Sequence, residues 1–439
     1  MVRIQKYLLI ILTVCLLSCL TGCSEQPESI PTTQSVTITE TQPVSEQTVA
    51  ETTAETIVET VSAEVTEPTI VQEPEPVAES IDTGIVLTLD GADITWKMHE
   101  MDYDDPLSLH SSQQLMLTSE EPVFALYIEW NTHPGEFLLT WDGGSMDCGA
   151  EGFLHDYIRL PEGTSSLSFV FEGDETHYIS QLGAYTYGVA PDGVQDWLPP
   201  CETADILAFP THADDDTLFF GAVISYYAIE KELAVQTAFM TDHYYEPFRN
   251  HERLDGLWEM GVRNYPIVGT ARDFYTMSLQ EAANYHGYDS ILEWQVQQIR
   301  RFKPLVILGH DIEGEYGHGQ HKLNTHCLIQ AVEMAADAWY YPRIAWQYGL
   351  WNTPKLYLHL YEENEIVFDV NTALKNDPEG RTPFVIAQDA YNCHVSQAGY
   401  FEVSQNPYSN MDCTRFGLYR SLVENDTGSD LMEHTARGE

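Results

Sequence analysis

The chain has 439 residues, enough for about two or three domains, and its 43% hydrophobic content permits a sizeable core. Its formal net charge is −48, from 20 Lys and Arg against 68 Asp and Glu. That balance argues against nucleic acid as a partner, because phosphate binding needs clustered cations, and it disfavours attraction to anionic lipid headgroups.

The N-terminus has the pattern of a processing signal. Arg3 and Lys6 precede an apolar run over 8–20 that is short for a membrane span. The run closes on Leu20, Thr21, Gly22 and Cys23. This Leu-x-Gly-Cys ending resembles the bacterial lipoprotein signal. The resemblance implies that residues 1–23 are the signal and that Cys23 is lipidated as the first mature residue. The protein is then expected to be exported and anchored to the outer face of a bacterial cytoplasmic membrane. Of the eight cysteines, Cys148, Cys201, Cys327, Cys393 and Cys413 lie beyond Cys23. Their spacing is neither a disulfide framework nor a zinc cluster. Export permits a Cys393–Cys413 disulfide, and five free thiols are equally compatible.

Residues 24–83 are rich in Thr, Glu, Val, Pro and Ser, and lack Lys, Arg and aromatic residues. Such a segment has little to bury and repels itself, so a disordered linker is expected. From 84 to 195 the pattern changes to short β-type runs at 85–89, 123–130, 137–141 and 167–171, separated by Gly, Pro and Asp turns. An all-β sandwich is expected. The run also resembles galactose-binding-like jelly rolls, which implies either a glycan-binding module or a spacer packed on its neighbour.

After a Pro-rich linker at 194–200, strands and helices alternate across a domain placed at 200–425. Strands are expected at 205–209, 234–240, 265–268 and 305–308. Helices are expected at 217–231 with Asp216 as N-cap, at 249–261, at 278–301 with a break at Gly287, and at 321–340. Further strands are expected at 355–361 and 366–370, a turn or short helix at 371–376, and a frayed tail over 426–439. Repeated β-α units predict a Rossmann-like, mostly parallel sheet with helices on both faces.

Two stretches carry the chemistry. His212, Ala213, Asp214, Asp215 and Asp216 follow the first strand of this domain, and 310–321 follow the fourth. Ligands of open α/β sheets bind outside the carboxyl ends of strands, so both stretches should meet on one edge. Together they offer histidines, carboxylates and a tyrosine, the inventory of a catalytic zinc site with one open position. His212-Ala-Asp-Asp-Asp resembles the His-Pro-Asp-Asp-Glu motif of the LmbE-like (PIG-L) zinc-dependent N-deacetylases. Residues 315–321, which contain Tyr316, Gly317, His318 and His321, resemble that family's Gly-Tyr-Gly-His-x-x-His. Arg249 with Glu252, and His394 to Gln397, look like two further segments of the same family.

The resemblance implies His212, Asp215 and His321 as ligands of one Zn2+, and Asp214 as general base. It implies Tyr316 for the oxyanion, a protonated His318 for the leaving amine, and Arg249 as a sugar contact. Gln397 and His394 are candidate substrate-pocket residues. Ala213 in place of Pro should loosen the turn, and Asp216 replaces Glu. The expected function is removal of the acetyl group from an N-acetylated amino sugar, such as N-acetylglucosamine in a glycan, at the cell surface. The alternative is a non-catalytic glycan-binding lipoprotein. Oligomeric state is not legible.

Overall fold

The computed structural model describes residues 75–437, apart from 425, 427 and 429. The signal segment, Cys23 and the linker up to residue 74 lie outside the described residues.

The first sheet is antiparallel. Its strands are β1 (Ile85–Leu89), β2 (Ala92–Asp93), β3 (Leu107–His110), β4 (Leu115–Trp130), β5 (Phe137–Trp141), β6 (Gly144–Cys148), β7 (His155–Phe171) and β8 (Thr176–Tyr185). β4 and β7 are far longer than the expected runs and pair with each other, with register shifts between Thr118 and Ala125. Such bulges bend a strand. The first part of β4 pairs with β1, and its second part pairs with β8. One bent pair of strands, non-consecutive in the chain, therefore joins the strands on either side of it. Leu87, Leu117, Leu126, Ile128, Trp130 and Phe169 are buried in the common core. Residues 77–81 do not behave as linker. Val77 bridges to Val189, Ser80 bridges to Tyr185, and Ala78 and Ile81 are buried.

The second domain alternates strands and helices. In order it contains β9 (Ile206–Ala208), α1 (the consecutive segments Asp216–Phe220, Gly221–Ser225 and Tyr226–Glu230), β10 (Val235–Asp242), α2 (Phe248–Glu259), β11 (Ile267–Arg272), α3 (Leu279–His286), α4 (Tyr288–Phe302) and β12 (Val306–Gly309). Then come α5 (Gly319–Ala335), α6 (Pro342–Tyr348), β13 (Lys355–His359), β14 (Glu365–Val367), α7 (Pro383–Asn392) and β15 (Arg415–Ser421). The sheet order is β11-β10-β9-β12-β13-β15-β14. The first five strands are parallel, and β15 runs antiparallel to both β13 and β14. β9, β12 and β13 are buried along their whole lengths, as a sheet covered on both faces requires.

The expected strands and helices of this domain stand where they were read, with shifted ends. The predicted break at Gly287 is real: its φ of 80° separates α3 from α4, and the Ser278 hydroxyl caps α3 by accepting the Glu281 N–H. Residues 371–376 form a turn. α6, α7 and β15 were not anticipated. Asp216 is not an N-cap; it lies inside the first turn of α1 with neither carboxylate oxygen hydrogen-bonded. The described residues of the tail are anchored rather than frayed. Lys355 is fully buried in β13, and its ammonium is held by Asp426 and by the carbonyls of Leu431 and Glu433. Burying a charge without partners is costly, so the tail is required where it is. Cys148, Cys201, Cys327, Cys393 and Cys413 are all free thiols.

The β domain packs on α2. Gln195 donates to Asp255 at 2.6 Å, and its amide oxygen accepts from Trp197 Nε1 and His155 Nδ1. His155 Nε2 is therefore left to accept from His251 Nδ1, at 2.9 Å. His251 lies on α2, with the Tyr103 ring 4.1 Å away. Burial, reinforced by His155, pushes the His251 imidazole down to about 2. An unfolded histidine takes up a proton near pH 6.5, so the unfolded state binds more protons below that pH. The stabilisation is complete above pH 6.5 and is lost as pH falls towards the folded value. We expect urea-unfolding free energy to drop by up to about 1.4 kcal/mol per pH unit from this residue between pH 6 and 4. A His251→Gln chain should show a slope smaller by that amount; an unchanged slope contradicts the assignment.

Candidate metal centre

β9 and β12 are neighbours, paired in parallel from Ile206–Val306 to Ala208–Leu308. The chain proceeds from β9 to one side of the sheet and returns through β12 on the other. The loops after these two strands therefore open at a topological switch point, where α/β sheets bind ligands. Histidine and carboxylate side chains from both loops meet there.

His212 Nδ1 lies 3.1 Å from Asp215 Oδ2 and 3.1 Å from His321 Nε2, and His321 Nε2 lies 3.1 Å from the same Asp215 oxygen. Neighbouring hydrogen bonds decide what these atoms carry. The Gln320 amide nitrogen donates to the Arg272 carbonyl, so its oxygen faces His212 Nε2 at 3.0 Å and accepts that N–H. His321 Nδ1 donates to Glu315 Oε2 at 2.8 Å. When these imidazoles are neutral, Nδ1 of His212 and Nε2 of His321 present lone pairs beside a carboxylate oxygen, the form in which they can ligate a metal. Asp215 Oδ2 also accepts the His212 backbone N–H at 2.6 Å, and either a proton or a metal cation among these converging atoms offsets their repulsion. Ligand bonds of about 2.0–2.2 Å to a tetrahedral ion place ligand atoms about 3.3–3.6 Å apart, close to the separations seen. The residues fit a metal ion. Burial alone would lower His321, but the carboxylates of Asp215 and Glu315 outweigh it and lift the imidazole to about 10.

Glu315 is the residue the motif reading missed. It is fully buried and accepts from His310 Nδ1, His321 Nδ1 and His359 Nδ1, each at 2.8 Å, and from the Asp311 N–H at 3.1 Å. Burial opposes its charge, yet these partners hold its carboxyl well below the usual range. His310 is not a free ligand, because its Nε2 accepts the Thr211 N–H at 3.0 Å. His243 Nε2 likewise accepts the Ala213 N–H at 3.2 Å. That bond corrects the expectation of a loose turn at Ala213: a proline there would have no N–H to give.

Asp214 is buried beside the cluster. Burial and Asp215 raise its pKa, against Arg249 and His212. Arg249 does not reach outward as a sugar contact. It is buried, donates to Asp214 Oδ1 at 3.0 Å, and donates to Asp273 Oδ2 at 3.1 Å. Glu252 accepts from the Ser396 N–H and hydroxyl, which pins the 394–397 segment to α2. His394 is buried with neither ring nitrogen hydrogen-bonded, and burial together with Arg249 and Arg253 pushes it down to about 3. Gln397 donates only to Ser396, and nothing brings it to the cluster. Asp216 lies beneath, its carboxyl pushed well above the usual range by burial despite Arg253.

Tyr316 stands in a turn at φ 45°, a left-handed conformation a tyrosine seldom adopts. Its ring lies 5.3 Å from that of His321 and 5.8 Å from that of His318. His318 caps α5, with Nδ1 accepting the Gln320 N–H at 3.3 Å, so Nε2 carries the proton. The protonated His318 expected from sequence is not found: burial and the imidazoles of His212 and His321 push it down to about 3. Its remaining N–H is a neutral donor.

No protein-family model matches the chain. Curated relatives do. A 1D-myo-inositol 2-acetamido-2-deoxy-α-D-glucopyranoside deacetylase of Catenulispora acidiphila is 26% identical over 195 residues, covering 38% of this chain and 59% of the relative. One from Saccharopolyspora erythraea is 31% identical over 101 residues, covering 23% and 34%. The chain is homologous to the LmbE-like (PIG-L) deacetylases. It spans between a third and three-fifths of the length of these two relatives. Among solved structures, N,N'-diacetylchitobiose deacetylase of Pyrococcus horikoshii gives a TM-score of 0.33 at 17% identity, covering 46% of this chain and 74% of that one.

Glu315 provides a test that does not need turnover. Glu315→Gln replaces an acceptor with a donor among imidazole N–H groups and frees the His321 tautomer. Zn2+ affinity should fall about 10–100-fold, the usual size for a partner of a metal-bound histidine. Competition titration against a chromogenic chelator measures it, and equal affinity in both chains would show that Glu315 does not orient the ligand.

Proposed function

We propose that this protein is a zinc-dependent N-deacetylase that hydrolyses the acetamide of an N-acetylated amino sugar, N-acetylglucosamine being the reference case. The observation that carries the proposal is the convergence of His212 Nδ1, Asp215 Oδ2 and His321 Nε2 at 3.1 Å beside the spare carboxylate of Asp214. The names of the curated relatives, all deacetylases of an acetamido sugar, support the same chemistry.

His212, Asp215 and His321 would hold the ion. When bound, zinc supplies an acidified water, with a pKa of about 7, and a Lewis acid for the amide carbonyl. Asp214 takes the proton of the attacking water. Its raised affinity for protons suits it to return that proton to the departing nitrogen, a task a neutral His318 is poorly placed to begin. The Tyr316 hydroxyl and the His318 Nε2–H donate to the oxyanion as it forms. Arg249 holds Asp214 in place rather than binding sugar, which is why it is buried.

We further propose that the protein is exported and tethered through Cys23. The support is the apolar run ending in Leu20, Thr21, Gly22 and Cys23. Among the described residues no helix is long and apolar enough to cross a membrane. Metabolic labelling with a radioactive fatty acid should mark the expressed protein and leave the Cys23→Ala chain unlabelled.

Acetate release from N-acetylglucosamine oligomers, abolished by chelation and restored by Zn2+, is the direct test. Asp214→Asn should keep the metal and lose about 10²–10⁴-fold in turnover, whereas Asp215→Ala should lose the metal itself. Full activity in the Asp214→Asn chain removes the proposed base.

A further inference from the structure

Several loops at the carboxyl edge of the parallel sheet carry aromatic rings that nothing covers. Tyr244 and Tyr245 follow β10, Tyr275 follows β11, and Tyr400 and Phe401 follow α7. Tyr244 is 70% exposed, Tyr245 73%, Tyr275 74% and Tyr400 74%. Exposed single apolar residues are ordinary, but a group of them around a reactive centre marks a binding surface. Two of these rings adjoin the candidate metal centre. Tyr275 lies 5.3 Å from the ring of His318, and Phe401 is stacked on Tyr316 at 5.1 Å. Tyr245 is braced by Arg272, which donates to its hydroxyl at 2.7 Å. The rim therefore begins at the two groups beside the ligands and continues onto separate loops.

Charge narrows the occupant. Glu246, Glu313 and Glu402 are exposed on loops of the same edge. Of the cations there, Arg249 is paired with Asp214 and Asp273, while Arg272 donates to the Tyr245 hydroxyl and Lys322 to the Met277 carbonyl. A ligand rich in phosphate or carboxylate would meet repulsion from these exposed carboxylates. The C–H faces of neutral pyranose rings, by contrast, pack on aromatic faces and bury apolar area without needing charge.

We infer that the rim is a set of subsites for an extended, uncharged glycan, so that the sugar losing its acetyl group is one unit within a chain. The inference rests on the deacetylase reading, and the test separates the two. Binding and acetate release are measured for the N-acetylglucosamine monomer and tetramer on the full metal-loaded chain. The tetramer should bind at least about tenfold more tightly, the size of one or two aromatic contacts. Tyr244→Ala and Tyr400→Ala should each erase much of that gain through KM, leaving monomer turnover unchanged. Length-dependent binding without acetate from any substrate would overturn the deacetylase reading and keep the subsites. Equal handling of monomer and tetramer, or variants that weaken both alike, would overturn the subsites. So would sedimentation of the protein as a dimer that the same two variants convert to monomer, since the rim would then cover a second copy.

Discussion

One buried carboxylate governs the catalytic half of the molecule. Glu315 draws together His310 at the end of β12, His359 at the end of β13 and His321 on α5. His359 in turn reaches the Asp412 carbonyl, which ties in the segment before β15. A charge without solvent is expensive, and removing one partner of such a group costs about 3–5 kcal/mol. Here four N–H groups offset it, so no single loop can move without stranding the others. The tautomer of His321, and hence the direction of its lone pair, follows from that arrangement.

Asp214 and Asp215 are adjacent in sequence and opposite in behaviour. Asp215 faces two imidazoles and stays ionised well below the usual range, despite burial. Asp214 has lost its water and sits beside that charge, so its affinity for protons rises. Environments that push two carboxylates apart assign their roles, one to the metal and one to proton transfer. Arg249 holds Asp214 in that position, and Arg249 is carried by α2. The same helix presents His251 to His155 of the β domain. Whatever else the β domain binds, it braces the helix that orients the proposed base.

The strand positions and the two candidate ligand loops were legible because β9 and β12 are short apolar runs with chemistry-bearing residues directly after them. The supporting groups were not. Glu315, Gln320 and Asp273 matter through what they touch, and a sequence pattern carries no record of partners supplied by β13 or α2. Asp216 looked like a helix cap because an Asp before an apolar run usually is one; here it turns inward towards Arg253. The tail looked frayed because 426–437 is polar, but the demand for it comes from Lys355, a lysine in a central strand. α7 was missed because the chain between 371 and 413 shows no sustained period.

Exposure links the reactive centre to the surface above it. His212 and Asp214 are each 5% exposed and His321 is fully buried. A pyranose ring cannot descend among them without displacing side chains that are hydrogen-bonded on several sides. An acetamide arm is small enough to enter while its ring stays at the mouth. On the proposed reading, the reacting carbonyl would lie beside Asp214 and Tyr316, where burial strengthens each donor aimed at it. On the same reading, the sugar would rest beside Tyr275 and Phe401, outside the cluster of ligands. If the proposed deacetylase and its rim are both correct, selection for the acetyl group falls to the buried part and selection for the sugar to the rim, so substitutions in the rim would change which glycan is used without altering the hydrolytic chemistry below.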